Sequence, residues 1–205
     1  MRKIPVIYFF GLFVVTARVF SQDAKEIPTN FEVIRSLAKQ IAIDALRQSK
    51  IESPGSIDLS VYPKETAWYV EGSVGEGFQS LGFNLRKDTA ATIAATFGLS
   101  DARIEYSNVR KDGFFGSKLV DRLVEVQLTG KFTDKLNGNI VWSSDNKQSA
   151  IDTIVLSEIN RIENPNIAIT RGNLPREGFF SNFAEPLILL GAIAVAVFLL
   201  FSVRS

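Results

Sequence analysis

Neither histidine nor cysteine occurs among the 205 residues of this chain. Histidine is the commonest general base and the commonest transition-metal ligand. Its absence excludes a Ser-His-Asp triad and any imidazole-ligated zinc. The absence of cysteine excludes disulfides, thiol chemistry, cysteine-ligated zinc and a lipobox cysteine for lipid anchoring, and it leaves the redox state of the compartment open. A large charge of one sign is missing as well. The formal net charge is +1, and Arg2, Lys3, Arg18 and Arg204 lie in the end segments, which leaves 19 basic and 22 acidic groups, net −3, between 22 and 185. A slightly acidic body argues against nucleic acid as the partner. No repeat at solenoid periods and no low-complexity tract is present.

What is abundant is hydrophobic length at both ends. Leu187–Val203 (LILLGAIAVAVFLLFSV) carries no charge over 17 residues. As a helix it would reach roughly 25 Å, a little under the ~30 Å of a bilayer core. Pro186 precedes it, where a helix tolerates proline. The expectation is a transmembrane helix over 186–203 with 204–205 as a cytoplasmic tail. Gly191, Ala192, Ala194 and Ala196 supply small side chains for helix packing. At the other end, Arg2 and Lys3 precede the apolar stretch Ile4–Ala17, which reads as a secretory signal over 1–21 with cleavage before Gln22. An uncleaved anchor is the alternative, and Pro5 and Arg18 make it a poor one. Either way the body is exported. Residues 164–185 lose periodicity and read as a juxtamembrane tether, with Phe179, Phe180 and Phe183 at the membrane interface. The localisation expected is the inner membrane, with the bulk of the chain in the periplasm. The pair Glu185-Pro186 also loosely resembles sorting tails of the PEP type, but Ala184 stands where the first proline belongs and a single arginine replaces a basic cluster.

Between the ends, 22–163 reads as one α+β domain: a small antiparallel or mixed sheet packed with two to three helices. Thr29-x-x-Glu32 is a capping box opening an amphipathic helix over about 30–49, with Phe31, Ile34, Leu37, Ala38, Ile41, Ala45 and Leu46 at three- and four-residue spacing. Ile57–Tyr62 alternates as a strand. The stretch 66–81 favours a helix through Val70, Val74, Phe78 and Leu81, against the cost of Gly72, Gly75 and Gly77, with a glycine-containing strand as the alternative. Phe83–Arg86 begins a second strand. The alanine-rich Thr89–Phe97 predicts a short helix between Asp88 and Gly98. Ala102–Val109, Val120–Thr133 and Ile140–Ser144 alternate, and the Asn137-Gly138 turn joins the last two, so 102–150 predicts an antiparallel meander. Residues 151–163 suit a short helix.

Several short matches fall to their context. Ser36-x-x-Lys39 and Ser144-Asp145-Asn146 are two of the three motifs of serine penicillin-binding enzymes, but the third is absent and the body is too short. The glycines 72, 75 and 77 are in the wrong order for a dinucleotide loop, and crowding explains them better. No calcium loop is present, nothing pairs the carboxylates by spacing, and no motif implies a cofactor or a bound metal. Trp68 and Trp142 are expected in the core. Phe114 and Phe115 lie between glycines at a hairpin tip, where polar residues are normal, and so are candidates for contact with a partner or a lipid surface, unless the tip folds back on the core.

The order of elements, carried by Ile57–Tyr62, Trp68–Phe83 and Lys118–Trp142, resembles a periplasmic module found in peptidoglycan-synthase activator lipoproteins, the curli secretion-pore family and flagellar ring assembly proteins. The resemblance covers about residues 30–163, and this chain lacks the lipid-anchoring cysteine of those proteins. It implies a small α+β sandwich and a role in binding and scaffolding for envelope assembly or secretion, with another envelope protein as partner. The other functions in view are a small subunit of a membrane complex that packs through its transmembrane helix, and a carboxylate-dependent periplasmic enzyme.

Overall fold

A computed structural model of the chain describes residues 26–87, 90–113, 116–174 and 179–202, with side chains only over 188–202 of the last stretch. The expected signal segment 1–21, the aromatic pair Phe114 and Phe115, and the tail 204–205 lie outside the described residues.

Helix α1 (Asn30–Ser49) starts where the capping box places it. The Thr29 hydroxyl accepts from the Glu32 amide, and the Glu32 carboxylate accepts from the Thr29 amide at 2.7 Å. Its buried stripe is Ile34, Ala38, Ile41, Ala42, Ala45 and Leu46. Strand β1 (Ser56–Tyr62) follows, then α2 (Lys64–Ala67), α3 (Glu71–Ser80) and the two-residue strand β2 (Asn84–Leu85). Three long strands come next: β3 (Ile93–Lys111), β4 (Lys118–Asp134) and β5 (Ile140–Val155). A short helix α4 (Ile159–Ile162) and helix α5 (Phe179–Ser202) complete the chain. The strands form one mixed sheet in the order β2-β1-β3-β4-β5, with β1 parallel to both neighbours and β3, β4 and β5 antiparallel in sequence.

One face of the sheet carries the core. Even-numbered side chains of β4 (Val120, Val124, Val126, Leu128 and Phe132) are buried, with α1 packed over the strand and Phe78 of α3 against Phe132. Phe78 of α3, Phe97 of β3 and Phe132 meet with ring centroids 5.7–5.9 Å apart in offset and edge geometries. Gly130 makes room for them, since a Cβ there would stand 2.8 Å from Phe97 and 2.9 Å from Trp142. On the outer face the odd-numbered side chains from Glu125 to Thr133 are polar, and Glu125 pairs with Arg103 of β3 and, at 2.7 Å, with Lys147 of β5.

The α+β class and the antiparallel meander are as expected, but three elements differ. Residues 93–97 of the alanine-rich stretch are strand, part of β3. They pair with β1 on one side and β4 on the other, and this central position overrides alanine's helix preference. The expected helix over 66–81 is two helices. The turn between them buries Ala67 and Val70 and leaves Trp68 outside. The expected helix over 151–163 begins late, because Ile151–Val155 continue β5 opposite Leu119–Leu123.

The first part of the expected tether is packed, not free. The buried Thr170 hydroxyl accepts from the Asn164 amide, and the Gly172 amide donates to Glu163 at 2.8 Å. Asn173 bridges Glu105 of β3 in parallel.

Candidate binding surfaces

Among the described residues of the domain, the most exposed aromatic group is one the sequence reading does not single out. Phe31, in the first turn of α1, lies 5.9 Å from Trp68 and 6.3 Å from Tyr69, and the two rings of the α2–α3 turn lie 4.3 Å apart. Trp68 is 56% exposed, which corrects its expected place in the core, whereas Trp142 is half-buried and packs against Phe132 at the margin of the core. A large ring held by neighbouring rings presents apolar area at little entropic cost, the usual make-up of a protein contact. The sequence signal was adjacency: Trp68-Tyr69 right after a helix of one turn.

The α3 glycines serve packing on one side of the helix and, through Gly72 and Gly75, a cleft on another. Gly77 lets α3 approach α1, for its Cβ would stand 2.9 Å from the Lys39 carbonyl oxygen. A Cβ on Gly75 would stand 2.8 Å from Leu85. The cleft, about 430 Å³, is lined by Leu59, Gly75 and Leu85 below a rim of Glu71, Glu76 and Lys87. The glycine pattern is therefore a packing device, in line with the crowding read from sequence. Along the α1–α3 seam Arg35 donates to Ser73 at 2.9 Å and pairs with Glu76, which also takes Lys39 at 3.7 Å. The lysine of the S-x-x-K match is thus committed to a surface ion pair. Ser144 and Asn146 of the second match sit on β5. Among the described residues no group of three or more acidic side chains converges on a metal position.

Beneath the surface a polar network ties both ends of the domain together. Arg122 of β4 is 1% exposed, and it donates from Nε to Asp152 at 2.8 Å and from Nη1 to the Pro28 carbonyl and Asn30 Oδ1 at 2.8 and 2.9 Å. The Asn30 amide donates in turn to the Tyr106 hydroxyl and the Thr170 carbonyl, both at 2.8 Å. Burial pushes the Tyr106 hydroxyl up to about 12, so it stays a neutral partner.

Of the residues singled out from sequence, Phe114 and Phe115 lie outside the described residues; the strands around them meet through the Asp112 amide and the Ser117 carbonyl at 3.0 Å. Phe179, Phe180 and Phe183 fall in the first turns of α5, their side chains not among those described. Gly191, Ala192, Ala194 and Ala196 are exposed on α5. At about 100° per residue only Ala192 and Ala196 share a narrow face, with Gly191 and Ala194 together on another. Every described side chain of α5 is exposed, Ile188, Phe198 and Phe201 among them. Among the described residues no helix is long and apolar enough to cross a membrane.

No family model and no curated protein matches this chain. Solved structures with similar coordinates include a lipoprotein from Neisseria meningitidis, with 10% identity, TM-score 0.32, and coverage of 68% of this chain and 99% of that one. A minor lipoprotein from Acinetobacter baumannii has 13% identity and TM-score 0.31 over 50% of this chain and 66% of its own. A putative neuraminyllactose-binding hemagglutinin homolog from Helicobacter pylori has 12% identity and TM-score 0.29 over 50% and 68%. Likenesses this distant assign no function.

Proposed function

We propose that this chain is a non-enzymatic binding or scaffolding domain of a bacterial cell envelope, exported and held at the inner membrane by α5. The observation that supports the anchor is a helix, Phe179–Ser202, that from Leu187 onward runs through an uncharged apolar sequence and offers its described side chains to the surroundings on every side. A helix apolar all round needs lipid or a protein partner to cover it. The partner, an envelope protein, would meet the Phe31, Trp68 and Tyr69 surface. Fractionation of cells expressing the full chain tests the anchor. It should resist alkaline carbonate extraction, be digested by protease added from the periplasmic side, and become soluble when 186–205 are deleted. Carbonate release of the full chain would sink the anchor.

A packed subunit of a membrane complex is a second reading, favoured by Ala192 and Ala196 one turn apart on α5. Exchanging α5 for a plain leucine helix separates the two: an anchor keeps its partner, a packed subunit loses it.

A further inference from the structure

We infer that β5 pairs with β5 of a second copy of this chain, antiparallel about a two-fold axis at Asn146, joining two sheets into one. At one side the sheet ends in β2, two residues long; at the other it ends in β5, 16 residues long, whose outer edge pairs with no strand among the described residues. Such an edge presents a row of backbone donors and acceptors to another strand.

The charges of β5 select the register. Its charged residues are Asp145, Lys147 and Asp152. In-register parallel pairing sets each against its own copy. Antiparallel pairing must join residues on the same face of the pleat, odd with odd and even with even. Lys147 therefore cannot face Asp152, and of the acidic residues on β5 only Asp145 remains. That register places Lys147 against the second copy's Asp145 twice, once on each side of the axis. It also sets Ser143 against Ser149 and Trp142 against Ala150, and brings the exposed Ile151 beside Val141, next to the bulge where β5 meets Phe132 and Thr133. Lys147 keeps Glu125 and Asp145 keeps Gln127 at 2.6 Å, so the new pairs extend an existing ladder.

An independent observation falls on the axis. Asn146 Nδ2 is buried and, among the described residues, is the one such side-chain atom with no hydrogen-bond partner. An unpaired buried donor weakens the fold that holds it. The two-fold brings the second copy's Asn146 carboxamide opposite; the donor is closed to solvent in the single chain, so it meets that acceptor oxygen once the carboxamide turns outward toward the edge.

The chain has no cysteine, so a single introduced thiol is unique. Directly opposed residues of antiparallel strands have Cα atoms about 4.5–5.5 Å apart, within disulfide reach. Full-length Asn146→Cys, solubilised in detergent and mildly oxidised, should form a disulfide dimer. Ser144→Cys faces residue 148, which places two such thiols roughly 13 Å apart, and it should stay monomeric alone yet cross-link when mixed with Gln148→Cys. Light scattering of the unsubstituted chain should give twice the chain mass, with the dissociation constant raised about tenfold or more by Asp145→Lys. A single-chain mass at every concentration, or equal cross-linking at 144 and 146, overturns the inference.

Discussion

Arg122 is the one residue through which three separate parts of the chain are held: Pro28 and Asn30 at the start of the domain, Asp152 on β5, and through Asn30 the Thr170 carbonyl near its end. Its charge is buried while Asp152 remains partly in water. Removing one partner of such a network leaves the others desolvated and unpaired. Arg122→Met is therefore expected to cost about 3 kcal/mol despite its apolar fit, read as a lowered urea midpoint at neutral pH. Asp121, on the outer face, sets an acid limit. Hydrogen bonds from Thr153, Arg110 and Asn108 hold its carboxyl down to about 2 from an ordinary 3.8. A carboxyl lowered on folding contributes fully above the unfolded value and loses that contribution as pH falls through the folded one. Between about pH 4 and pH 2 the parent chain should lose stability faster than Asp121→Asn, and parallel acid titrations of the unfolding midpoint check it.

At the scale of elements, α1 and α3 meet through glycine. Gly77→Ala would push a methyl to 2.9 Å from the backbone oxygen of Lys39, which cannot swing aside as a side chain can. Overpacking of this kind costs about 1–3 kcal/mol, whereas Thr29→Ala, losing one cap, costs about 1 kcal/mol; thermal unfolding of the two variants should rank them so. These elements also mark how far the sequence could be read. Helix α1 was legible because Thr29, Glu32 and a long apolar period agree. Strand β4 was legible because Val124, Val126, Leu128 and Phe132 alternate with Glu125, Gln127, Thr129 and Lys131, although Arg122 and Leu123 run against the pattern near its start. The start of β3 was not, since TAATIAATF carries small residues whose alternation is faint, and its strand character comes from β1 and β4 on either side. The exposed patch was hidden for a related reason: Trp68 reads as core until the α2–α3 turn rotates it outward. The Phe114 and Phe115 surface was proposed from its flanking glycines alone.

At the scale of the molecule, the way the domain leaves for α5 sets how it would stand on a membrane. Asn173 runs parallel to Glu105, so the chain departs along the direction of β3. From Glu105, β3 continues for six more residues to Lys111, roughly 20 Å. Between Leu174 and Phe179 the chain spans at most about 17 Å even if fully extended. A hairpin that reaches that far along the same direction, on a tether that short, brings the 112–117 turn to the membrane surface when a single anchored chain stands upright. An antiparallel β5 pair reverses the second copy's strands, so in one membrane that pair requires the sheet to lie along the surface instead. In the upright chain the Asp134–Asn139 turn at the opposite end of β4 faces away. Cysteines introduced singly at Ser117 and Asn137, both exposed, test this in a chain with no thiol of its own. In spheroplasts a bulky maleimide should label Asn137→Cys as fast as it does in detergent, and Ser117→Cys several-fold more slowly until detergent is added. Equal rates at the two sites would mean that the domain lies on its side or hangs free, and the 112–117 turn would lose its claim to a lipid contact.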